Sequence, residues 1–187
     1  MNPVNPKDKI IVNGKGIHWE VDIIRCPHRV PSVGYCVSEI RQKLKEEYAQ
    51  LKGKEIGELK KKGVEITKEE KFKQFIYMGD TTHEVFNLNP EVFEYKTIFI
   101  ECTFFLEGLR ENALKKTHVH WDFIKPFVKN NPQTLFMLIH FTLSVSEGQI
   151  VDFFKKESET EGIYNVGLWL DSGVVVLNEN KNENKQQ

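Results

Sequence analysis

Apolar and polar side chains alternate along Ile17-His18-Trp19-Glu20-Val21-Asp22-Ile23, the period of a strand with one buried face. The run passes into Arg25-Cys26-Pro27-His28-Arg29-Val30-Pro31, where prolines on both sides of His28 impose a stiff, non-helical connection. Gly34–Val37 reads as another short strand. From residue 39 to 62 the pattern changes. Two charged segments, from Ile40 and from Lys54, carry apolar residues at helical spacing, with Gly53 between them and Gly63 at the end. Phe75-Ile76-Tyr77-Met78 is an unbroken apolar run, the mark of a buried strand, and it stops at Gly79-Asp80-Thr81-Thr82. Thr97–Ile100 is a second such run and enters Glu101-Cys102-Thr103-Phe104. Leu135–Ile139, the most hydrophobic, enters His140.

Helices are expected over Glu107–Lys116, over Asp122–Lys129 with Pro132 as the stop, and over Gly148–Lys156. Tyr164–Leu177 reads as a hairpin turning at Asp171-Ser172-Gly173. Residues 1–8 read as a flexible lead-in. Asn178–Gln187, rich in Asn, Lys, Glu and Gln, reads as a disordered tail. What remains is one domain over 9–177. Strands alternating with helices predict a layered α/β (α+β) fold.

Composition narrows the function classes. At 187 residues, with 40% hydrophobic and 28% charged, the chain can bury a substantial core. A net charge of -1 removes a global basic field as a route to nucleic acid, though not a local patch. Lys60-Lys61-Lys62 is the densest positive run, and a solvated helix end accounts for it more readily than a phosphate contact does. Cys26, Cys36 and Cys102 form no CxxC pair, which points to reduced thiols in a cytoplasmic-type compartment and away from a cysteine-built zinc site. The opening residues hold no apolar run that could serve as a signal peptide or membrane span, so a soluble intracellular protein is expected.

Three buried strands end in ligand-type residues: Asp80, Glu101 and His140. His28 lies in the proline-stiffened loop, and His118 and His120 start a helix. One histidine at a strand end is usually a hydrogen-bonded structural residue, and a lone Gly-Asp turn is usually a cap. Several such groups at one end of a sheet instead match what a zinc ion needs, neutral nitrogen and anionic oxygen at fixed positions.

The ordered segments Val30-Pro31-Ser32-Val33-Gly34-Tyr35, Gly79-Asp80-Thr81, Ile100-Glu101-Cys102-Thr103-Phe104, Thr117-His118-Val119-His120 and Leu138-Ile139-His140-Phe141 resemble ribonuclease Z of the short, plant type. This is the tRNA 3′-processing endonuclease of the metallo-β-lactamase superfamily. The resemblance covers roughly residues 17 to 156, with a step of 22 residues from His118 to His140 that suits the family. It implies a metallo-β-lactamase-type αββα sandwich and zinc-dependent phosphodiester hydrolysis on a tRNA precursor, at a site of two ions. It implies that His28 and His140 each bind one zinc and that Asp80 bridges both. His118 would protonate the leaving 3′ oxygen, with His120 as the competing candidate, and Glu101 would orient a histidine.

The family's His-x-His-x-Asp-His motif does not occur, so the sequence reads as the C-terminal portion of that fold, beginning on the order of a hundred residues late. Without that motif neither zinc reaches three protein ligands, and enzyme activity from this chain alone is doubtful. The arm that grips tRNA in many relatives has only the segment of residues 39–62 in its place, and Thr142-Leu143-Ser144-Val145 replaces the usual Ser-x-Arg-Tyr. Half a sandwich would expose a large apolar face, so a cover is expected: the missing N-terminal half, a homodimer partner, or a rearranged terminal hairpin. A non-catalytic module for RNA or protein binding and a small-substrate metallo-hydrolase of the same fold remain open alternatives. The address expected is cytoplasmic, with the nucleus as a second compartment.

Overall fold

The computed structural model describes residues 4–14 and 16–177. Among the described residues, eight strands form one sheet: β1 (Lys9–Gly14), β2 (Ile17–Cys26), β3 (Ser32–Leu44), β4 (Thr67–Met78), β5 (Thr97–Glu101), β6 (Leu135–Ile139), β7 (Val166–Leu170) and β8 (Gly173–Leu177). They lie side by side in chain order. Antiparallel pairing joins β1 to β4, parallel pairing joins β4 through β7, and β7–β8 is antiparallel again. The helices are α1 (Gly53–Lys61), α2 (Glu84–Leu88), α3 (Arg110–Lys116), α4 (Trp121–Asn130) and α5 (Glu147–Glu161). The expected α/β class is the one observed. None of these helices is long and apolar enough to cross a membrane.

The parallel strands advance in one direction across the sheet. Right-handed crossovers taken that way deliver their helices to the same face. That face holds the core: Ile76, Ile98, Ile100, Phe136, Leu138 and Leu168 pack against Phe86, Trp121, Ile124, Val128, Ile150 and Phe154. The helix ends follow from local chemistry. Ser146 and Gln149 form a capping box on α5, and Gly162 closes it at φ 66°.

The opposite face carries the alternate residues of the same strands. Paired register sets Tyr35 beside Tyr77, Tyr77 beside Phe99, Phe99 beside Met137, and Met137 beside Gly167. Tyr77 is 46% exposed and Trp169 53% exposed, with Val174 and Val176 also open to solvent. The β7–β8 hairpin extends the sheet at its edge and leaves this face bare, so it does not act as the rearranged cover.

The segment from Ile40 is a correction. Residues Ile40–Leu44 continue β3 rather than forming a charged helix, and they pair with Thr67–Lys71 of β4. Their charges are met across and along the strands: Lys43 pairs with Glu70 at 2.9 Å, and Arg41 and Lys43 lie over the Phe72 ring. Over so few residues helical and strand periods are hard to separate, and the partner strand decides. β1 was not anticipated. It pairs with β2, and Lys7 N–H donates to Ile23 O just before it. The helix expected from Glu107 begins at Arg110, after a turn in which Gly108 takes φ 83°. Lys60, Lys61 and Lys62 are exposed at the C-terminal end of α1, where the helix dipole favours cations. The expected tail, Asn178–Gln187, lies outside the described residues.

Candidate metal centre

The C-terminal ends of β4, β5 and β6 are neighbours, and the chain leaves each of them on a polar residue. Beyond β4, Gly79 N–H donates to Val33 O. A Cβ at Gly79 would stand 2.7 Å from Ser32 Oγ and 3.1 Å from Val33 O, so a side chain there would displace Ser32 and crowd the turn against β3. The turn places Asp80 half-buried at the sheet rim. Among the described residues no cation pairs with it.

Glu101 is the last residue of β5 and is fully buried. A buried carboxylate persists only when its lone pairs are met. Oε1 accepts from Thr81 N–H at 2.9 Å and lies 2.7 Å from His118 Nδ1. Oε2 accepts from Thr103 Oγ1 at 2.6 Å and from Val119 N–H at 3.2 Å. His118 reaches it because α3 ends at Thr117 with φ 60° and His118 N–H returns to Ala113 O. An acceptor-only carboxylate requires a proton on His118 Nδ1, so in the neutral ring the lone pair lies on Nε2.

His140 follows β6 at φ 58°, a left-handed backbone that carries its side chain back toward β5. Its Nδ1 is 3.0 Å from Thr103 Oγ1. The single hydroxyl proton of Thr103 goes to Glu101, so Thr103 accepts from His140 Nδ1–H, and in the neutral ring the lone pair of His140 lies on Nε2. Glu101 thus sets the tautomer of both histidines, one directly and one through Thr103. Sequence reasoning quoted Thr103 without giving it a role. The signal was there: residues two apart on an extended chain point the same way.

His28 completes the cluster from the loop after β2. Its ring centroid is 5.1 Å from that of His118, and His118 is 5.6 Å from His140. His28 Nδ1 makes only a long 3.4 Å contact with Val30 N–H, and Nε2 is buried with no hydrogen-bond partner. Ligand atoms of His28, Asp80 and His118 lie within 4.8 Å of one another, as do those of Glu101, His118 and His140. His28, Asp80 and His140 do not form one such group, because His118 stands between them. An orphaned imidazole nitrogen beside a carboxylate and a second imidazole suits a divalent transition metal.

His120 is turned away. It is fully buried, its Nδ1 accepts from Asp122 N–H as the cap of α4, and its Nε2–H donates to Leu106 O at 3.1 Å. Both nitrogens are committed, so the geometry brings His118 and not His120 into the cluster. The thiols also stay out. Neither metal-type group among the described residues includes a cysteine, and burial pushes Cys26 up to about 11 and Cys102 well above its ordinary value.

No family model matches the chain. The chloroplastic tRNase Z TRZ2 of Arabidopsis thaliana is 36% identical over 119 residues, which is 62% of this chain and 33% of that protein. tRNase Z TRZ1 of the same plant is 33% identical over 128 residues, 67% of this chain and 46% of that protein. A nuclear ribonuclease Z of Triticum aestivum is 52% identical over 40 residues, 21% of this chain and 23% of that protein. The crystal structure of the short form of human tRNase Z aligns with 91% of this chain and 48% of its own at 17% identity and a TM-score of 0.44, a likeness too distant to add to the sequence matches. The resemblance to ribonuclease Z read from the motifs is therefore present in the sequence matches, over a span that makes up less than half of each Arabidopsis protein.

Proposed function

We propose that this chain is the C-terminal half of a ribonuclease Z-type hydrolase of the metallo-β-lactamase fold, which removes the 3′ trailer of tRNA precursors in the cytoplasm or nucleus. The observation that carries the reading is the meeting of His28, Asp80, His118 and His140 at the ends of adjacent parallel strands, with Glu101 buried beneath them. In the complete site His28 and His140 would each hold one zinc and Asp80 would bridge the two. When bound, zinc supplies Lewis acidity at the scissile phosphodiester.

The chain's own residues orient and transfer protons. Glu101 locks the His118 ring through Nδ1, so that Nε2 is the atom able to carry a proton to the leaving 3′ oxygen. Thr103 accepts from His140 Nδ1–H, so in the neutral ring Nε2 presents the lone pair that a metal ligand requires. The bare apolar face of the sheet is the seat of the second half of the sandwich, on the same polypeptide or on another. Its row of Tyr77, Phe99 and Trp169 gives a second apolar sheet a surface to pack on.

The test is release of the trailer from a labelled tRNA precursor. The chain is assayed alone and with the portion of TRZ1 that the match leaves uncovered. Trailer release only in the mixture, slowed about 10²–10⁴-fold by His118→Ala, is the expected result. No release in either condition overturns the reading in favour of a non-catalytic module.

A further inference from the structure

We propose that His28, Asp80 and His118 of this chain by itself form a three-ligand site for a single divalent ion of the zinc or cobalt class, with Glu101 as the positioning residue for His118. The inference rests on the metal-centre reading above and departs from it at His118, which acts there as a proton donor and here as a ligand. Three protein ligands with an open position is the stoichiometry of a catalytic zinc. These three residues supply it without any group from a second half.

Four observations carry it. Ligand atoms of the three residues fall within 4.8 Å of one another. His28 Nε2 is buried and has no partner. His118 Nδ1 is occupied by Glu101 at 2.7 Å, the carboxylate–histidine arrangement that presents an Nε2 lone pair to a metal. The competing cluster of Glu101, His118 and His140 is a hydrogen-bond network rather than a second site, because each Glu101 oxygen already takes part in two hydrogen bonds. His140 meanwhile lies exposed beyond His118 and is held by Thr103. Ligands arriving with a second half of the fold would compete with His118 for the ion and release it for proton transfer.

Cobalt(II) titration of the purified chain tests this. It is read by visible d–d absorption and by bound cobalt per chain, with far-UV circular dichroism to check each variant. Wild type is expected to bind one cobalt per chain, His28→Ala and Asp80→Ala to lose it, and His140→Ala to keep it. His118→Ala is expected to weaken binding by at least about 100-fold, beyond the 10–100-fold typical of an orienting partner. His118→Asn, whose amide still donates to Glu101, provides a folded variant lacking the nitrogen ligand and is expected to lose cobalt equally. Wild-type affinity in His118→Asn, with His28→Ala and Asp80→Ala weakened, overturns the ligand role while the metal centre stands. Wild-type affinity in His28→Ala and Asp80→Ala overturns both. A wild-type chain that binds no cobalt overturns the self-contained site alone, since the proposed hydrolase draws its remaining ligands from the second half.

Discussion

Glu101 Oε1 lies 2.7 Å from His118 Nδ1, and the same buried carboxylate receives Thr81 N–H, Val119 N–H and the Thr103 hydroxyl. One side chain therefore ties together the loop after β4, the strand end of β5 and the segment before α4. Glu101→Ala strands two buried backbone donors without an acceptor. At about 1–3 kcal/mol each, the expected loss is about 2–6 kcal/mol, measured as a lower urea midpoint. A midpoint unchanged from wild type would show the network to be incidental.

Thr103 links Glu101 to His140. Thr103→Val keeps the shape and deletes the hydroxyl, so His140 loses the acceptor that holds its Nδ1–H form. The ring ¹⁵N shifts of His140 should move toward the Nε2–H tautomer, with a stability loss of about 1 kcal/mol. His118, held directly by Glu101, should keep its shifts. Equal movement of both rings would refute the division of roles.

The uncovered sheet face makes a prediction about solution behaviour. Tyr77 and Trp169 stand open to solvent on either side of Phe99, an aromatic row on one sheet face, so the isolated chain should bind a hydrophobic dye and self-associate at micromolar concentration. Tyr77→Lys with Trp169→Lys should reduce both effects. Sedimentation of the wild-type chain as a dye-free monomer would count against a docking face.

Lys71 bridges Glu20 and Asp22 from β4, with Lys9 adding to the same cluster from β1. Its hydrogen bonds with Lys71 and Lys9 hold the Glu20 carboxyl below its ordinary value. A group depressed on folding adds stability above its unfolded value and loses it as pH falls through the folded one. Stability should therefore decline on acidification from about pH 4.5 downward, the unfolded value for glutamate. Lys71→Met should flatten that acid limb, as read from urea midpoints across the pH series. An acid limb unchanged by Lys71→Met would place the dependence elsewhere.

Much of the candidate centre was legible because strands that end on ligand-type residues show themselves by composition. The runs closing at Gly79-Asp80, Glu101 and His140 are apolar enough to be strands under any period, and a polar residue just past such a run lies at a rim. The segment from Ile40 was not legible in the same way. Its charges fit a helix face and a paired ribbon equally, and what makes it a strand is β4, more than twenty residues further along.

By itself the sequence determined the α/β class, the strands that carry Asp80, Glu101 and His140, and the stiff loop that carries His28, because periodicity and proline geometry are local properties. Only the tertiary structure decided that β4, β5 and β6 are parallel neighbours, and that His118 stands between His28 and His140 while His120 caps a helix in the core. The physical reason is that an imidazole's direction follows its hydrogen-bond partner. For His118 that partner is Glu101, 17 residues away, and no local pattern reports it.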